Sequence, residues 1–371
     1  PTDSGKRIRT CELMRRLAAS FEIVFAYHEE TPTPVEARDA FEAAGIEVIP
    51  VPRRPLVKSG LRFAWDLARN VFLRDPYMVM GHRTKGMQAA IRRLVAERNI
   101  DLVHAEWTPL VANVPAGVDL PVSIAAHNVE SLIWRRYHEN ETGTARRTYV
   151  GIQVRKVERF EARALREADV VIAVSEEDGE RIRALGQAHV QVAPNGVDAT
   201  TFAPRRDAEV ESGSLLFVGS LDWRPNLDAV TWFLDEIQAP LQALRPDAHL
   251  TVVGRHPPAW LEKRVASSEG ISIAASVPDV RPYVASAAVS IVPLRIGGGS
   301  RLKICEALAM ERPVVSTSVG AEGLDLGDGV VRADGAGPFA RAIAQTLDEP
   351  EPAAAMARRG RERVLARYEW D

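Results

Sequence analysis

Short apolar runs alternate along this chain with segments in which apolar residues recur every three to four positions, the rhythm of strands followed by amphipathic helices. In the first half the pattern predicts a helix over about 9–20, a strand over 21–27, a helix near 34–44 and a strand over 46–51. It continues with a helix near 86–98, strands over 102–105 and 122–126, a long helix around 145–167, and strands over 170–174 and 190–193. The second half restarts the same order: strand 215–218, helix 226–244, strand 250–253, helix 258–267, strand 271–274 and a short helix before a strand at Val289. Strands over 314–317 and 330–333 follow, then helices over about 337–347 and 353–368.

Strands separated by helices imply parallel sheets with helices on both faces. The turn Pro194-Asn195-Gly196-Val197-Asp198, followed by a polar stretch over 205–213, interrupts the rhythm and marks a boundary. The expected fold is therefore α/β, with two Rossmann-like doubly wound domains, 1–198 and 199–371, facing each other across a cleft. A chain of 371 residues is long enough for two such cores. Ligands in sheets of this kind sit beyond the carboxyl ends of the strands.

One such strand end carries the most informative chemistry. Val289-Ser290-Ile291-Val292-Pro293-Leu294 reads as a buried strand, and Gly297-Gly298-Gly299-Ser300-Arg301-Leu302-Lys303 then joins a glycine turn to a helix beginning near Arg301, with Ser300 as its N-cap. Cations in a first helical turn oppose the helix dipole by a few tenths of a kcal/mol, roughly. A bound phosphate reverses that sign, because unpaired amides, dipole and basic side chains then converge on one anion. The same residues also fit a plain glycine turn before an amphipathic helix, with Lys303 paired to Glu306 one turn on. Lysine preceding glutamate is the weaker orientation of such a pair.

Bulk composition narrows the classes without choosing one. With 46% hydrophobic and 26% charged residues the chain has no disorder signature, and a net charge of -3 gives no support for nucleic-acid binding. Cys11 and Cys305 lie far apart within helical patterns, which indicates neither a disulfide framework nor a cysteine metal site and fits a reducing cytoplasm. No apolar run is long enough to span a bilayer. The window 53–98 stands apart with a local balance of +8 and interleaved Phe63, Trp65, Phe72, Tyr77 and Met78. Those residues fit an anionic membrane surface or a phosphorylated acceptor, and equally a solvated helical face over core aromatics.

Several motifs are absent. Gly5-Lys6 is followed by Arg7, so there is no Walker sequence, and Leu302 stands where a dinucleotide fingerprint begun at Gly297 needs glycine. There is no Asp-x-Asp triplet and no helical histidine pair, so metal-dependent sugar transfer on a single Rossmann domain is disfavoured.

The segment 293–324, with Glu306-Ala307-Leu308-Ala309-Met310-Glu311-Arg312-Pro313-Val314-Val315, resembles the retaining GT-B glycosyltransferases of family 4. Asn195-Gly196-Val197-Asp198 with Phe202-Ala203-Pro204 looks like that family's domain junction. His127-Asn128-Val129-Glu130 resembles its N-terminal-domain histidine, and Gly5 its first glycine loop. The closest likeness is to bacterial members that act on exopolysaccharide and cell-surface sugars.

The resemblance implies a nucleotide diphosphate sugar donor in the C-terminal domain and a glycan or lipid-linked acceptor in the N-terminal domain. Neither cofactor nor metal is implied. Donor-binding residues would be Gly219, Arg224, Gly297, Gly298, Gly299, Ser300, Arg301, Lys303 and Glu306, with Glu306 on the ribose hydroxyls. His127, Arg301 and Lys303 would carry catalysis, and Gly5 and Arg7 would lie on the acceptor side. Three departures qualify the likeness. Gly298 stands where the family commonly has the first of two glutamates, Ser220 and Pro225 replace its basic pair, and the chain reads as cut at both ends. The expected place of action is the cytoplasm, at the inner face of the membrane if window 53–98 touches it. The alternatives are a nucleotide-sugar epimerase of the same architecture and a nucleotide-sugar-binding protein that has lost catalysis.

Overall fold

The computed structural model describes residues 5–55, 59–298 and 301–370. Contacts divide the chain into two units, Pro1–Ala193 and Pro194–Asp371, so the boundary precedes the one expected at 198. The reason lies in the turn. The Val197 N–H donates to the Tyr368 carbonyl at 2.6 Å, and Gly196 lies so close to the Trp370 ring that a Cβ there would meet it at 2.5 Å. The Pro194–Asp198 turn is thereby packed into the C-terminal unit.

The N-terminal unit runs α1 (Gly5–Leu17), β1 (Ile23–Glu29), α2 (Val35–Glu42), β2 (Ile46–Pro52), α3 (Gly60–Val71), α4 (Tyr77–His82) and α5 (Lys85–Glu97). Next come β3 (Val103–Ala105), a 3-10 turn (Thr108–Asn113), β4 (Val122–Ala126), α6 (Glu130–Asn140), α7 (Thr144–Glu167), β5 (Val170–Ala173), α8 (Glu176–Ala184) and β6 (Val190–Val192). Among the described residues its strands form two parallel sheets, β1-β2 and β3-β4-β5-β6. Helix α7 buries Val150, Gln153, Val157, Phe160, Glu161 and Ala164, the three-to-four spacing that announces it in sequence. Neither α6 nor α8 was among the expected elements. Glu161 of α7 caps α6 by accepting the Glu130 and Ser131 N–H groups at 2.6 and 3.0 Å. Burial pushes that carboxyl up to about 7, although the two backbone bonds favour its charged form.

The C-terminal unit runs β7 (Ser214–Val218), α9 (Arg224–Trp232), a π-turn (Phe233–Ile237), α10 (Gln238–Leu244), β8 (His249–Gly254), α11 (Ala259–Ala266), β9 (Ile271–Ala275), α12 (Arg281–Ser286) and β10 (Val289–Val292). After these come α13 (Leu302–Ala309), β11 (Val314–Ser316), β12 (Val331–Arg332), α14 (Ala336–Asp348) and α15 (Pro350–Arg367). The single helix expected over 226–244 contains the π-turn because Pro240 has no N–H and crowds the carbonyl four residues earlier. All strands are parallel in the order β12-β11-β10-β7-β8-β9. That order reverses between β7 and β10, which places the switch point, and the crevice it opens, at the carboxyl ends of these two strands. Leu215, Phe217, Val252 and Ile291 build the core beneath them.

Helix α15 is held close by glycine. A Cβ at Gly360 would meet Leu308 Cδ2 at 2.7 Å and the Gly329 carbonyl oxygen at 2.8 Å. Alanine at an interior helical position gains about 1 kcal/mol over glycine, but overpacking against fixed backbone costs about 1–3 kcal/mol. Gly360→Ala is expected to destabilise the chain by up to about 2 kcal/mol, read as a lower denaturant midpoint at unchanged slope.

Candidate active site

The residues of the C-terminal unit's candidate site come from the two loops at the switch point and from the helices that follow them. After β10 the chain passes Gly297 and Gly298, both buried, and Gly299 and Ser300 lie outside the described residues. Helix α13 begins at Leu302, and Arg301 holds the N-cap position with extended backbone, φ -101° and ψ 98°. Arg301 therefore precedes the helix instead of opening it. Its guanidinium, 6% exposed, folds back over the loop and donates to the Gly298 carbonyl oxygen. A Cβ at Gly297 would collide with that guanidinium where it now lies, so a side chain there would displace Arg301 from the loop.

Lys303 is the second residue of α13. Its ammonium donates to Asn226 Oδ1 at 3.0 Å and lies 4.1 Å from the centroid of the Phe217 ring, an amide and a π-face. The pairing with Glu306 is not made. Asn226, buried in the first turn of α9, also donates from Nδ2 to the Ser220 carbonyl at 2.9 Å. Gly219 has no room for a side chain, because a Cβ would meet the Asn226 amide at 2.7 Å. Asn226 thus ties the turn after β7 to the helix after β10, and it was not among the expected site residues. Arg255, after β8, joins the same turn by donating to Ser220 Oγ at 3.0 Å. Arg224 is exposed at the first residue of α9.

Crowding sets the charge states. Burial first, then Arg301, pulls Lys303 down to about 7, and Glu306 opposes this. Burial likewise pushes Glu306 up to about 7 against the pull of Lys303. Both side chains keep a partial opening to solvent. The helix start thus presents a buried guanidinium, a lysine whose charge is suppressed without an external anion, and a carboxyl near neutrality. An anion bound at this helix start would supply the missing counter-charge.

In the N-terminal unit the structure gathers a second cluster at the carboxyl ends of β3 and β4. His127 follows β4, is buried, and donates from Nε2 to the Glu106 carbonyl at 2.9 Å, with Glu106 Oε2 at 3.3 Å. A carbonyl only accepts, so Nε2 carries the hydrogen. His104 Nε2 lies 3.4 Å from the other Glu106 oxygen, and Thr10 Oγ1 of α1 donates to Glu106 at 2.9 Å. Burial opposes charge on Glu106, but the hydrogen bonds and charges of His104 and His127 outweigh it and hold its carboxyl well below the usual carboxylate range. Gly5 is the first residue of α1 and not part of a loop, because the helix carried by Ile8, Cys11 and Met14 extends back to it. Arg7 is exposed on that helix. Thr10, His104, Glu106 and Asn226 escaped the sequence analysis, since none sits in a local motif.

Comparison with known proteins gives the class. Residues 4–196 match the family model for the glycosyl transferase 4-like domain, and residues 212–349 match that for glycosyl transferases group 1. Glycogen synthase of Mycobacterium tuberculosis is 26% identical over 316 residues, covering 79% of this chain and 72% of that protein. Sucrose-phosphate synthase from Thermosynechococcus elongatus superposes with a TM-score of 0.67 at 18% identity, over 94% of this chain and 95% of that one. Anabaena HepE, solved in complex with UDP and glucose, gives a TM-score of 0.68 at 12% identity, over 100% of this chain and 93% of its own. The fold is that of the GT-B glycosyltransferases, and the protein is a glycosyltransferase. The chain belongs to the glycosyl transferase 4-like family.

The lowered Lys303 has a measurable signature. A bound nucleoside diphosphate holds this amine protonated, so binding at pH 8 is expected to take up close to one proton. Affinity then falls as the pH rises above 7, by up to about tenfold per unit. Calorimetry in buffers of different ionisation enthalpy checks this, and Lys303→Met should remove the uptake.

Proposed function

We propose that this protein is a retaining, metal-independent glycosyltransferase that moves a sugar from a nucleotide diphosphate sugar to a hydroxyl of a glycan or lipid-linked acceptor. The observation that carries the reading is the start of α13, where Arg301, Lys303 and the helix N-terminus supply positive charge without a carboxylate bonded to the lysine. As the bond from sugar to diphosphate breaks, the leaving group gains negative charge. Cations and amides already in place stabilise that charge more in the transition state than in the bound donor. This is the part a divalent ion plays in other sugar transferases, and it is the physical support for metal independence.

Glu306, one turn along α13, suits the donor's ribose hydroxyls, since one carboxylate accepts from two of them. Gly219, Gly297 and Gly298 let the backbone approach the donor, and Arg224 adds a peripheral cation. His127, oriented by Glu106, serves the donor sugar, and Gly5 and Arg7 stand on the acceptor side. Retention follows from attack on the face that the diphosphate leaves, with a phosphate oxygen taking the acceptor proton. The acceptor's lipid link would bring the N-terminal unit, through window 53–98, to an anionic membrane at the inner face of the cytoplasmic boundary. HepE, a relative in fold, was solved with UDP and glucose, which favours a uridine nucleotide for the first trial.

A panel of nucleotide sugars incubated with the chain in excess chelator is expected to give hydrolysis or transfer with the anomeric configuration kept. Arg301→Ala should lower kcat by about 10²–10³-fold, the scale of losing one preorganised charge contact. Inversion, or recovery only with added metal, would sink the mechanism. Epimerised donor in the absence of acceptor would identify an epimerase, and diphosphate binding without turnover of any donor a lapsed enzyme. For His127→Ala, kcat should fall by at least about tenfold with diphosphate affinity unchanged.

A further inference from the structure

Helix α3 is amphipathic in an unusual sense, because its apolar stripe faces out. Leu61, Trp65, Ala68 and Phe72 recur at helical spacing along one face, all four exposed, with Leu61, Trp65 and Phe72 at 91%, 68% and 90%. The opposite face holds the helix to the unit. Asn70 is fully buried, accepts from Gln153 Nε2 at 2.7 Å and donates to the Asp75 carbonyl at 3.0 Å, and Phe63 packs edge-on against Tyr77. The stripe is therefore a presented surface and not a misplaced core. Leaving two aromatics and a leucine side by side in water is unfavourable unless something covers them.

Charge identifies the cover. On the flank of the stripe, Arg62, Asp66 and Arg69 of α3 line a cavity of about 290 Å³, together with Arg53, Arg54 and Arg83. Arg53 is committed to Glu30 and the Gly81 carbonyl, and Arg83 to Asp75 at 2.9 Å. Among the described residues no carboxylate lies within ion-pair distance of Arg54, Arg62 or Arg69. An apolar stripe bordered by unbalanced arginines is the surface a helix presents when it lies in the headgroup region of an anionic bilayer. A protein partner's apolar groove would satisfy the stripe alone and leave the arginine cavity unexplained.

We propose that α3 seats the N-terminal unit on an anionic lipid surface, its apolar stripe entering the boundary between headgroups and acyl chains while the adjoining arginine cavity takes a lipid phosphate. This deepens the membrane part of the proposed function, and it does not depend on which sugar is transferred. Two complementary features act together. The aromatic and leucine side chains give depth, the arginines give the preference for negative headgroups, and neither suffices for stable attachment on so short a helix.

Co-sedimentation of the 371-residue chain with vesicles tests the proposal, using phosphatidylcholine alone and with roughly one-third phosphatidylglycerol. The chain is expected to sediment with the anionic vesicles, and more weakly as salt is raised. Trp65→Glu should reduce binding at least about tenfold, and Arg62→Glu with Arg69→Glu should abolish the preference for anionic lipid. Because all three side chains point outward, thermal unfolding of the variants should match that of the parent. Equal binding to neutral vesicles, no binding to either, or indifference to Trp65→Glu would overturn the proposal. So would light scattering that shows a dimer broken by Trp65→Glu, which would assign the stripe to a second copy. Nucleoside diphosphate binding is measured in parallel. A chain that ignores lipid yet binds diphosphate loses this proposal alone, whereas one that binds lipid but no diphosphate loses the donor-site reading alone.

Discussion

A lysine held by an amide in place of a carboxylate is the constraint on which the C-terminal unit's site turns. Asn226 gives Lys303 a hydrogen-bond acceptor without giving it a counter-ion, and the Phe217 ring beneath adds only a quadrupole. A carboxylate in the place of Asn226 would neutralise the ammonium permanently and would leave little reason for an anion to bind. An aliphatic residue there would strand the Lys303 Nζ–H and the Ser220 carbonyl together. The amide is the intermediate choice. It positions the cation and leaves its charge to be completed from outside.

The sheet order explains why such a residue pair exists at all. Reversal at β7 and β10 brings two loops from distant parts of the chain to one crevice, and Asn226 and Lys303 are one pair of side chains that meets across it. Glycine does the complementary work, since Gly219 makes room for the amide and Gly297 makes room for Arg301. Large groups sit where recognition is needed and absent side chains where backbone must approach. The N-terminal unit follows the same rule with different chemistry. There, Glu106 gathers Thr10, His104 and His127 around one carboxylate at the ends of β3 and β4, so its local charge is largely settled internally.

What was legible in sequence was local. The buried run 289–294, the glycines after it and the helix start beyond them form one contiguous signal, and strand spacing in both halves marked each strand of the sheets among the described residues. The Asn226 contact was not legible, because its partner lies 77 residues away and asparagine after a strand has many bland uses. The Thr10 to Glu106 bond spans 96 residues and was hidden for the same reason. Helix α6 gave no local capping signal, since its cap is supplied by Glu161 from another helix. Helix α8 did give one, with Ser175 accepting from the Asp178 N–H and three acidic residues in its first turn, and it could have been found. Arg301 shows the limit of propensity. Its type fits a helix, but the short loop needs a donor for the Gly298 carbonyl, and the side chain answers that need from the cap.

One pairing on the far side of the glycine loop completes its mechanics. Arg295, just past β10, forms a two-pronged bond to Asp228 of α9 at 2.8 and 3.1 Å and lies over the Trp232 ring. The loop between Arg295 and Lys303 is thus tethered at both ends to the same helix, by Asp228 at one end and Asn226 at the other. Whatever shifts the first turns of α9 shifts Arg295 and Lys303 together, so the helix acts as a common frame for both cations.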